Sequence, residues 1–530
     1  MPSKLIELEI ARPGVFGVNT SASGDVMPKE YSVKADNFVF SDEGYLVARH
    51  GSLRTHASGV TGTVRKIYET KDELGADLII FATATKIYRK TAGAPVDITG
   101  TAVCTAGNWK FTNLNNEIFG TQEGHAAIKL GTPSSGTFAP ATFTGTDAPT
   151  EINIVDSMAA FGRLWHLYDD KLVYSSLLLP EDYDPTGADA GYFNLTASYL
   201  KGKAKPTAIA EFNGNLLVFT DNHVTVWESP FNPNGTTTGV TPMGVLETIG
   251  GVGCVARDTI QYTQNDILFL SEQGVTSLSR VVQEKSMPLS RYSDNVKADI
   301  QGLIREVDVD TIWSAYLEAE GIYFLGAPSS AKAYLIDTAT RLPDESYRVL
   351  TWSKTIYEME VVHEGQLTAS DDAWAAVLIS DEASYLSQCK GYNDYTPNNG
   401  IGGSSYLLTW ESAWSSILED FENHLKMPKR LGVVVKGTGA VNFSINLAFD
   451  YGDFVDTKAR TATLTLSSPS TYGTAKYNVD TYGGVTAIRE SRFMGFGSGR
   501  ILKSKITSTV DGESISMQRV SIKTKIGKQS

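Results

Sequence analysis

Cysteine is scarce: Cys104, Cys254 and Cys389 are the only three in 530 residues. They lie far apart, make no metal-ligand spacing and leave one thiol over in any disulfide scheme, which excludes a stapled or zinc-organised fold. Buried thiols in a reducing compartment are expected. Long apolar runs are missing too, and no window approaches the roughly 20 apolar residues of a spanning helix. The opening stretch Met1-Pro2-Ser3-Lys4-Leu5-Ile6-Glu7 lacks the apolar core of a signal peptide, so synthesis in a cytoplasm is the expectation. Sustained helical periodicity is almost absent. Catalytic signatures are also lacking: there is no Gly-x-Ser-x-Gly elbow, Walker loop, His-Glu-x-x-His or Cys-x-x-Cys. Gly251-Val252-Gly253 lacks the third glycine and following helix of a dinucleotide site and reads as a turn.

Positive charge is in deficit. The net charge is −14, which argues against wrapping a phosphate backbone. The imbalance is uneven, because Arg489 to Ser530 carries about nine basic against about three acidic residues. That tail reads as a solvated edge-strand face or as a contact for an acidic partner subunit.

What remains is β structure: short runs rich in Val, Ile, Tyr, Phe and Thr separated by turn residues. One unit recurs, in which a hydrophobic strand is flanked by polar turns and followed by another strand. It appears at Asp77–Phe81 with Ile87-Tyr88, Asn116–Gly120 with Ala126–Ile128, and Gly162–Leu167 with Lys171–Tyr174. It recurs at Asn213–Val218 with Val224–Trp227, and at Asp266–Leu270, Gly321–Leu325 and Gly365–Thr368. The central strands are roughly 40–55 residues apart, the length of a propeller blade with its connections. The expected fold is therefore all-β: an irregular β-propeller of six or seven blades over residues 61–390. An N-terminal arm, 1–60, and a C-terminal β-rich region, 391–530, build a sandwich-like platform. Ser229 to Thr248 reads as a long inter-blade insertion, and 391–405, rich in Asn, Gly and Ser, as a boundary loop. Trp414, Ile417, Leu418, Phe421 and Leu425 fall at helical spacing and predict a short amphipathic helix, against the alternative of an extended arm. Leu431–Lys436 and Val441–Asp450 alternate strongly and predict a hairpin. Strands at Gly499–Ile506 and Met517–Lys525 complete the unit.

No residue set qualifies as a catalytic, cofactor or metal site. Asp182, Asp184 and Asp189 beside Gly187 offer oxygens for a hard cation, but the spacing is irregular and Pro185 interrupts it, so a solvated loop is the reading. Glu306, Asp308 and Asp310 alternate as on one face of a strand. His166, between Trp165 and Leu167, reads as a core or channel residue rather than a base.

Three segments in fixed order carry a resemblance. They are Tyr174-Ser175-Ser176 with Pro180–Pro185; Pro206–Thr220 with Val224–Trp227; and Gly250–Gly253 with Ile267–Val275 and Pro288-Leu289-Ser290. This order, with Asn37, Gly44-Tyr45 and the Arg49-His50-Gly51 turn near the start, resembles the tail-nozzle proteins of short-tailed bacteriophages. That group includes tubular tail protein B and the packaged-DNA-stabilisation proteins. The resemblance implies a non-enzymatic virion tail protein made in a host bacterial cytoplasm, needing no cofactor. Six copies would form a ring beneath the portal and its head-to-tail adaptor proteins, retain the packaged genome, and pass its DNA without specific binding during ejection. Tail fibres or a tail needle or plug are further implied partners. The competing reading is a monomeric propeller that binds or hydrolyses glycans. It requires convergent acids and aromatics repeated at one end of the axis, and no such repeat stands in the sequence.

Overall fold

The computed structural model describes residues 5–529 except 200–203, 235–241, 285–290, 363–372, 395–402, 416–423, 467–486 and positions 25, 57, 92, 106, 151, 188, 383 and 438. Six small antiparallel sheets and the first four strands of a nine-stranded sheet make the blades. Blade one is Val64–Lys71, Asp77–Thr83, Ile87–Arg89 and Val96–Asp97. Blade two is Lys110–Leu114, Glu117–Gln122, His125–Leu130 and Ala139–Pro140. Blade three is Ile154–Ala160, Arg163–Tyr168, Lys171–Tyr174 and Gly191–Asn194, and blade four is Pro206–Phe212, Asn215–Thr220, His223–Glu228 and Gly244–Gly250. Blade five has three strands, Gln261–Tyr262, Ile267–Ser271 and Gly274–Ser277, and the helices Leu278–Glu284 and Lys297–Glu306 follow it. Blade six is Trp313–Leu317, Ile322–Gly326, Ala333–Arg341 and Tyr347–Trp352. Blade seven is Glu358–Val361, Val377–Glu382 and Tyr385–Cys389, with Ser52–Arg54 as its fourth strand.

The second strands read as near-continuous hydrophobic runs because both of their faces are buried, each against a different neighbour. In blade one, Ile80 and Ala82 join a core with Trp109, Phe111 and Ile128 of blade two. Ile79 and Phe81 pack instead with Leu378 and Leu386 of blade seven. Blade four repeats the device: Leu216 and Val218 pack with Trp165 and Leu167 of blade three, while Leu217 and Phe219 pack with Ile267 and Phe269 of blade five. Tight turns with left-handed backbone, such as Asn115-Asn116 (φ 55° and 62°) and Asn213-Gly214 (φ 51° and 77°), return the chain between strands.

Each of the seven junctions between blades is tied by polar contacts. Asn113 Nδ2 donates to Thr70 Oγ1 (2.8 Å), Thr121 and Ser157 hydroxyls share a bond (2.8 Å), and the Ile209 amide donates to Asp156 Oδ2 (2.9 Å). The Glu211 amide donates to the Tyr262 hydroxyl (3.2 Å), Gln261 Nε2 to Ser314 O (3.0 Å) and Trp313 Nε1 to Ile356 O (2.9 Å). Ser380 Oγ donates to Val64 O (3.2 Å) and closes the circle. The protein is an all-β propeller with seven blades and a platform of two sheets.

The platform is continuous with blade six. Ser32–Asp36 lies parallel to Tyr347–Trp352 (Asp36 opposite Thr351) and antiparallel to Tyr406–Ser412, so one nine-stranded sheet runs from Trp313–Leu317 through these strands to Leu502–Val510, Gly439–Phe449 and Arg460–Leu466. The facing sheet holds Phe38–Phe40, Leu46–Ala48, Ile515–Gln529, His424–Gly437 and Ala487–Phe493, with Leu5–Ala11 on Ile515–Gln529. Val433, Val435, Phe443, Ile445, Ile506, Val520 and Ile522 fill the space between them.

Several expectations are corrected. Residues 431–436 and 441–450 are not a hairpin: they lie in opposite sheets, because Ile515–Gln529 is the antiparallel partner of His424–Gly437 and Leu502–Val510 that of Gly439–Phe449. Trp414 precedes an isolated bridge at Ser415, and Leu425 lies in a strand, so neither is helical; Ile417, Leu418 and Phe421 lie outside the described residues. The arm is not separate from the propeller, since Ser52–Arg54 completes blade seven. The basic final strand is not an edge, because it is paired on both sides, and Arg519 and Lys523 meet Glu9 (3.2 Å) and Glu7 (3.1 Å). Gly365–Thr368, Pro288–Ser290, the 235–241 part of the 229–248 insertion and the 395–402 part of the 391–405 loop lie outside the described residues.

Arg49 pins platform and propeller together. It is 2% exposed, donates to Asn37 Oδ1 (3.0 Å), His50 O (2.8 Å) and Asp394 Oδ1 (2.8 Å), and lies 4.0 Å from the Tyr406 ring centroid. Lys354 reaches Asp394 (3.1 Å) and Asp381 (2.5 Å) from the other side. Burial opposes ionisation of Asp394, yet the Arg49 and Lys354 charges override it and hold its pKa below the usual carboxylate range. Asp394→Ala leaves the buried Arg49 without a carboxylate, while Lys354 keeps Asp381, and the expected loss in urea unfolding is about 3–5 kcal/mol. A loss under about 1 kcal/mol would remove Arg49 from its pinning role.

Candidate functional site

The innermost strands surround the propeller axis, and charged residues occupy it. Lys66 comes from blade one, Lys110 from two, Asp156 from three, and Glu358 and Glu360 from seven. Arg257 and Asp258 come from the 3-10 turn Arg257–Thr259 that leads into blade five. Lys66 Nζ lies 3.3 Å from Glu358 Oε1 and 3.5 Å from Asp258 Oδ1, and Lys110 Nζ is 3.9 Å from the same Asp258 oxygen. The Arg257 guanidinium meets Asp258 Oδ2 (3.2 Å) and donates to Val155 O and Asn108 O (3.0 Å each). One cleft of about 330 Å³, bordered by Asn108, Gln122, Lys205 and Asp310, and another of about 270 Å³, bordered by Tyr68, Thr112, Met158 and Tyr262, both reach Arg257. Arg257 thus lines both clefts, with Asp258 in the first and Lys110 in the second.

The four carboxylates of this layer outnumber its three bases, and a buried net charge is unfavourable. A proton retained on a carboxylate relieves the excess. Burial, assisted by Asp258, pushes the pKa of Glu358 up to about 8, while burial and neighbouring Glu69 push Glu360 up to about 7 against the pull of Lys66. Burial also works against the charges of Lys66 and Asp258, but Asp258 and Glu358 hold the Lys66 pKa up, and Arg257 and Lys66 hold Asp258 down.

His166 is fully buried, as its setting between Trp165 and Leu167 predicts, and its Nδ1 lies 2.7 Å from Ser157 Oγ. Burial depresses its pKa to about 3. Among the described residues its Nε2 has no hydrogen-bond partner, the ring faces Phe143 and Tyr183, and no third group orients it as a general base would need. Asp182, Asp184 and Asp189 are used separately: Asp182 and Asp184 accept backbone amides two residues on, and Asp189 pairs with Arg163 (2.6 Å). Glu306 ends a helix, Asp308 caps a 3-10 turn and Asp310 borders the larger cleft, so the three do not share a strand face. Gly251 (φ 84°) forms the turn expected of it, and a Cβ on Gly253 would lie 2.2 Å from Thr220 O. All three cysteines are buried free thiols. Among the described residues no three His, Cys, Asp or Glu side chains gather as a metal site. Sequence reading missed the axial layer. Its signal is the charge set inside otherwise apolar first strands, as in Arg65-Lys66-Ile67 and Glu358-Met359-Glu360-Val361.

No known family profile matches this chain, and no curated protein matches it. Among solved structures it is similar to the extracellular domain of the putative one-component system BT4673 from B. thetaiotaomicron, at 11% identity and a TM-score of 0.40, covering 81% of this chain. The chain spans 59% of that structure's length. It is also similar to YCF48 bound to D1 peptide (8% identity, TM-score 0.32, 67% of this chain and 97% of that one). BamB from Moraxella catarrhalis gives 9% identity and a TM-score of 0.32, covering 68% of this chain and 100% of that one. Likeness at this level carries no functional argument, and the blade assignment here rests on strand order and packing.

The axial layer makes stability depend on pH. Glu358 and Glu360 bind protons more tightly folded than unfolded, so their contribution is present at low pH and is lost as pH rises through about 7 and 8. His166, His56 and His223, whose pKa values burial lowers, act in the opposite sense, mostly below their unfolded value near 6.5. Between pH 7 and 8 the two acids dominate, and unfolding free energy is expected to fall by about 1 kcal/mol. Glu358→Gln should flatten that slope in urea titrations; an unchanged slope would mean that the excess charge is neutralised elsewhere.

Proposed function

We propose that the protein is a structural subunit of a virion tail nozzle. Six copies form a ring beneath the portal-adaptor complex, retaining packaged DNA and conducting it during ejection. The observation that carries this reading is the nine-stranded sheet that makes blade six and the platform one body. A subunit bearing internal pressure needs such a continuous path for load, and a solitary ligand-binding propeller does not. The segments that resemble the nozzle family run consecutively through blades three, four and five. The filled axis is consistent with the same reading, because a conduit for DNA then lies between subunits rather than through a propeller. A net charge of −14 favours a wall that phosphates do not adhere to.

Electron microscopy of the chain mixed with the portal and adaptor rings of the same genome tests the assignment. A sixfold ring capping the adaptor, with an open or gated channel, is expected. Persistent monomers that leave the adaptor bare would overturn it and favour the solitary propeller, to be followed by a glycan-binding screen.

A further inference from the structure

The larger axial cleft, of about 330 Å³, opens at one end of the propeller. Strands of a blade alternate in direction, so the turns between the second and third strands of successive blades gather at one end of the axis. In blades two, three, four and five the residue that follows the second strand is acidic: Glu123, Asp169, Asp221 and Glu272. Glu123, Asp221 and Glu272 line the cleft, and Asp310 joins them from the 3-10 turn that leads into blade six. None of these four cleft carboxylates forms a salt bridge among the described residues. Asp221 accepts the Lys205 amide (3.1 Å), a neutral donor that leaves its charge uncompensated. Lys205 itself stands on the same rim, but the Arg257 guanidinium is committed to Asp258, Val155 O and Asn108 O, so the cleft keeps negative charge in excess.

A buried acceptor points the same way. Gln122 lines the cleft and is 7% exposed. It sits where the ladder between Glu117–Gln122 and His125–Leu130 shifts register, between Gly120 and Gln122. Such a shift turns a side chain off the regular alternation of a strand. The Oε1 of Gln122 is left buried with no hydrogen-bond partner among the described residues, a condition that a donor from a ligand would relieve.

The rest of the wall says what shape of donor fits. Val155, Pro206, Val255, Ile304 and Val309 give the cleft an aliphatic lining. Carboxylates carried by different blades around such a lining match a short alkyl chain with an ammonium at each end. Each ammonium brings three donors and no acceptor, and the methylenes between them cover apolar surface. A bare divalent cation fits less well, because it needs several oxygens converging on one point. Among the described residues no three His, Cys, Asp or Glu side chains converge in that way.

We propose that this cleft binds an alkyl diammonium ion, with one ammonium donating to Gln122 Oε1 and the other held by the rim carboxylates. The site is complete within one copy, so it does not depend on the ring reading above.

Titration calorimetry of the full chain with putrescine tests the site. One saturable site per chain is expected, weakening as salt rises. Butylamine, which lacks the second ammonium, should bind about tenfold more weakly. Glu272→Gln changes an exposed turn, and Gln122→Met removes an unpartnered acceptor at nearly constant shape, so both should melt no lower than wild type and each lose about tenfold in affinity. Asp169→Asn, in the same acidic crescent but outside the cleft lining, should bind putrescine as wild type does. Heats that never saturate, or an equal loss in Asp169→Asn, would mean diffuse attraction to an acidic face and would overturn the proposal. Unchanged affinity in Glu272→Gln and Gln122→Met would place the ligand elsewhere. Magnesium ions binding this cleft more tightly than putrescine would replace the diammonium site with a metal site.

Discussion

Closure of the ring is the constraint on which the rest of the structure depends. A sheet buried on both faces cannot be the last in a row, so blade one and blade seven must cover each other. They do so through Ile79 and Phe81 against Leu378 and Leu386. Blade seven is completed only when Ser52–Arg54 pairs with Tyr385–Cys389, which ties the start of the chain to residues more than three hundred positions later. The same N-terminal arm supplies Ser32–Asp36 to the sheet between blade six and the platform. One segment therefore closes the propeller and attaches it, and Arg49, between those two strands, is bonded across the joint to Asp394.

The axial charges follow from the same geometry. The first strands of blades one, two, three and seven bring Lys66, Lys110, Asp156, Glu358 and Glu360 to the axis. Lys66, Asp258, Glu358 and Arg257 fill it with paired charge. Such a layer contributes little net stability compared with apolar packing, because desolvation offsets most of the attraction. Its directional bonds to Val155 O and Asn108 O fix the blades relative to one another.

The blades were legible in the sequence where the signal is local. The second strands at 77–83, 117–122, 163–168 and 215–220 are apolar runs bounded by turn residues such as Asn213-Gly214, and period and turn chemistry sufficed to find them. Pairings between distant segments leave no such trace. The alternation of 431–436 and 441–450 is real, but it records burial against a shared core rather than which strand each pairs with, and the long partner at 515–529 overrode the local hairpin. Leu425 matched helical spacing by coincidence while serving a strand. The axial layer was missed because charges such as Arg65, Lys66 and Glu69 in one strand look like surface; only a shared position on the first strands of their blades marks Lys66, Lys110, Asp156, Glu358 and Glu360 as interior. Leu177 to Leu179 fall between Ser176 and Pro180, and neither their exposure nor the left-handed backbone of Leu178 was read from the sequence.

Hydrogen exchange measured by mass spectrometry across a urea series tests most directly whether propeller and platform form one cooperative body. The account predicts that amides in blade four, at 207–220, and in the platform, at 431–447, lose protection at the same urea concentration. Platform amides that open well before those of the blade, while the propeller stays protected, would contradict it.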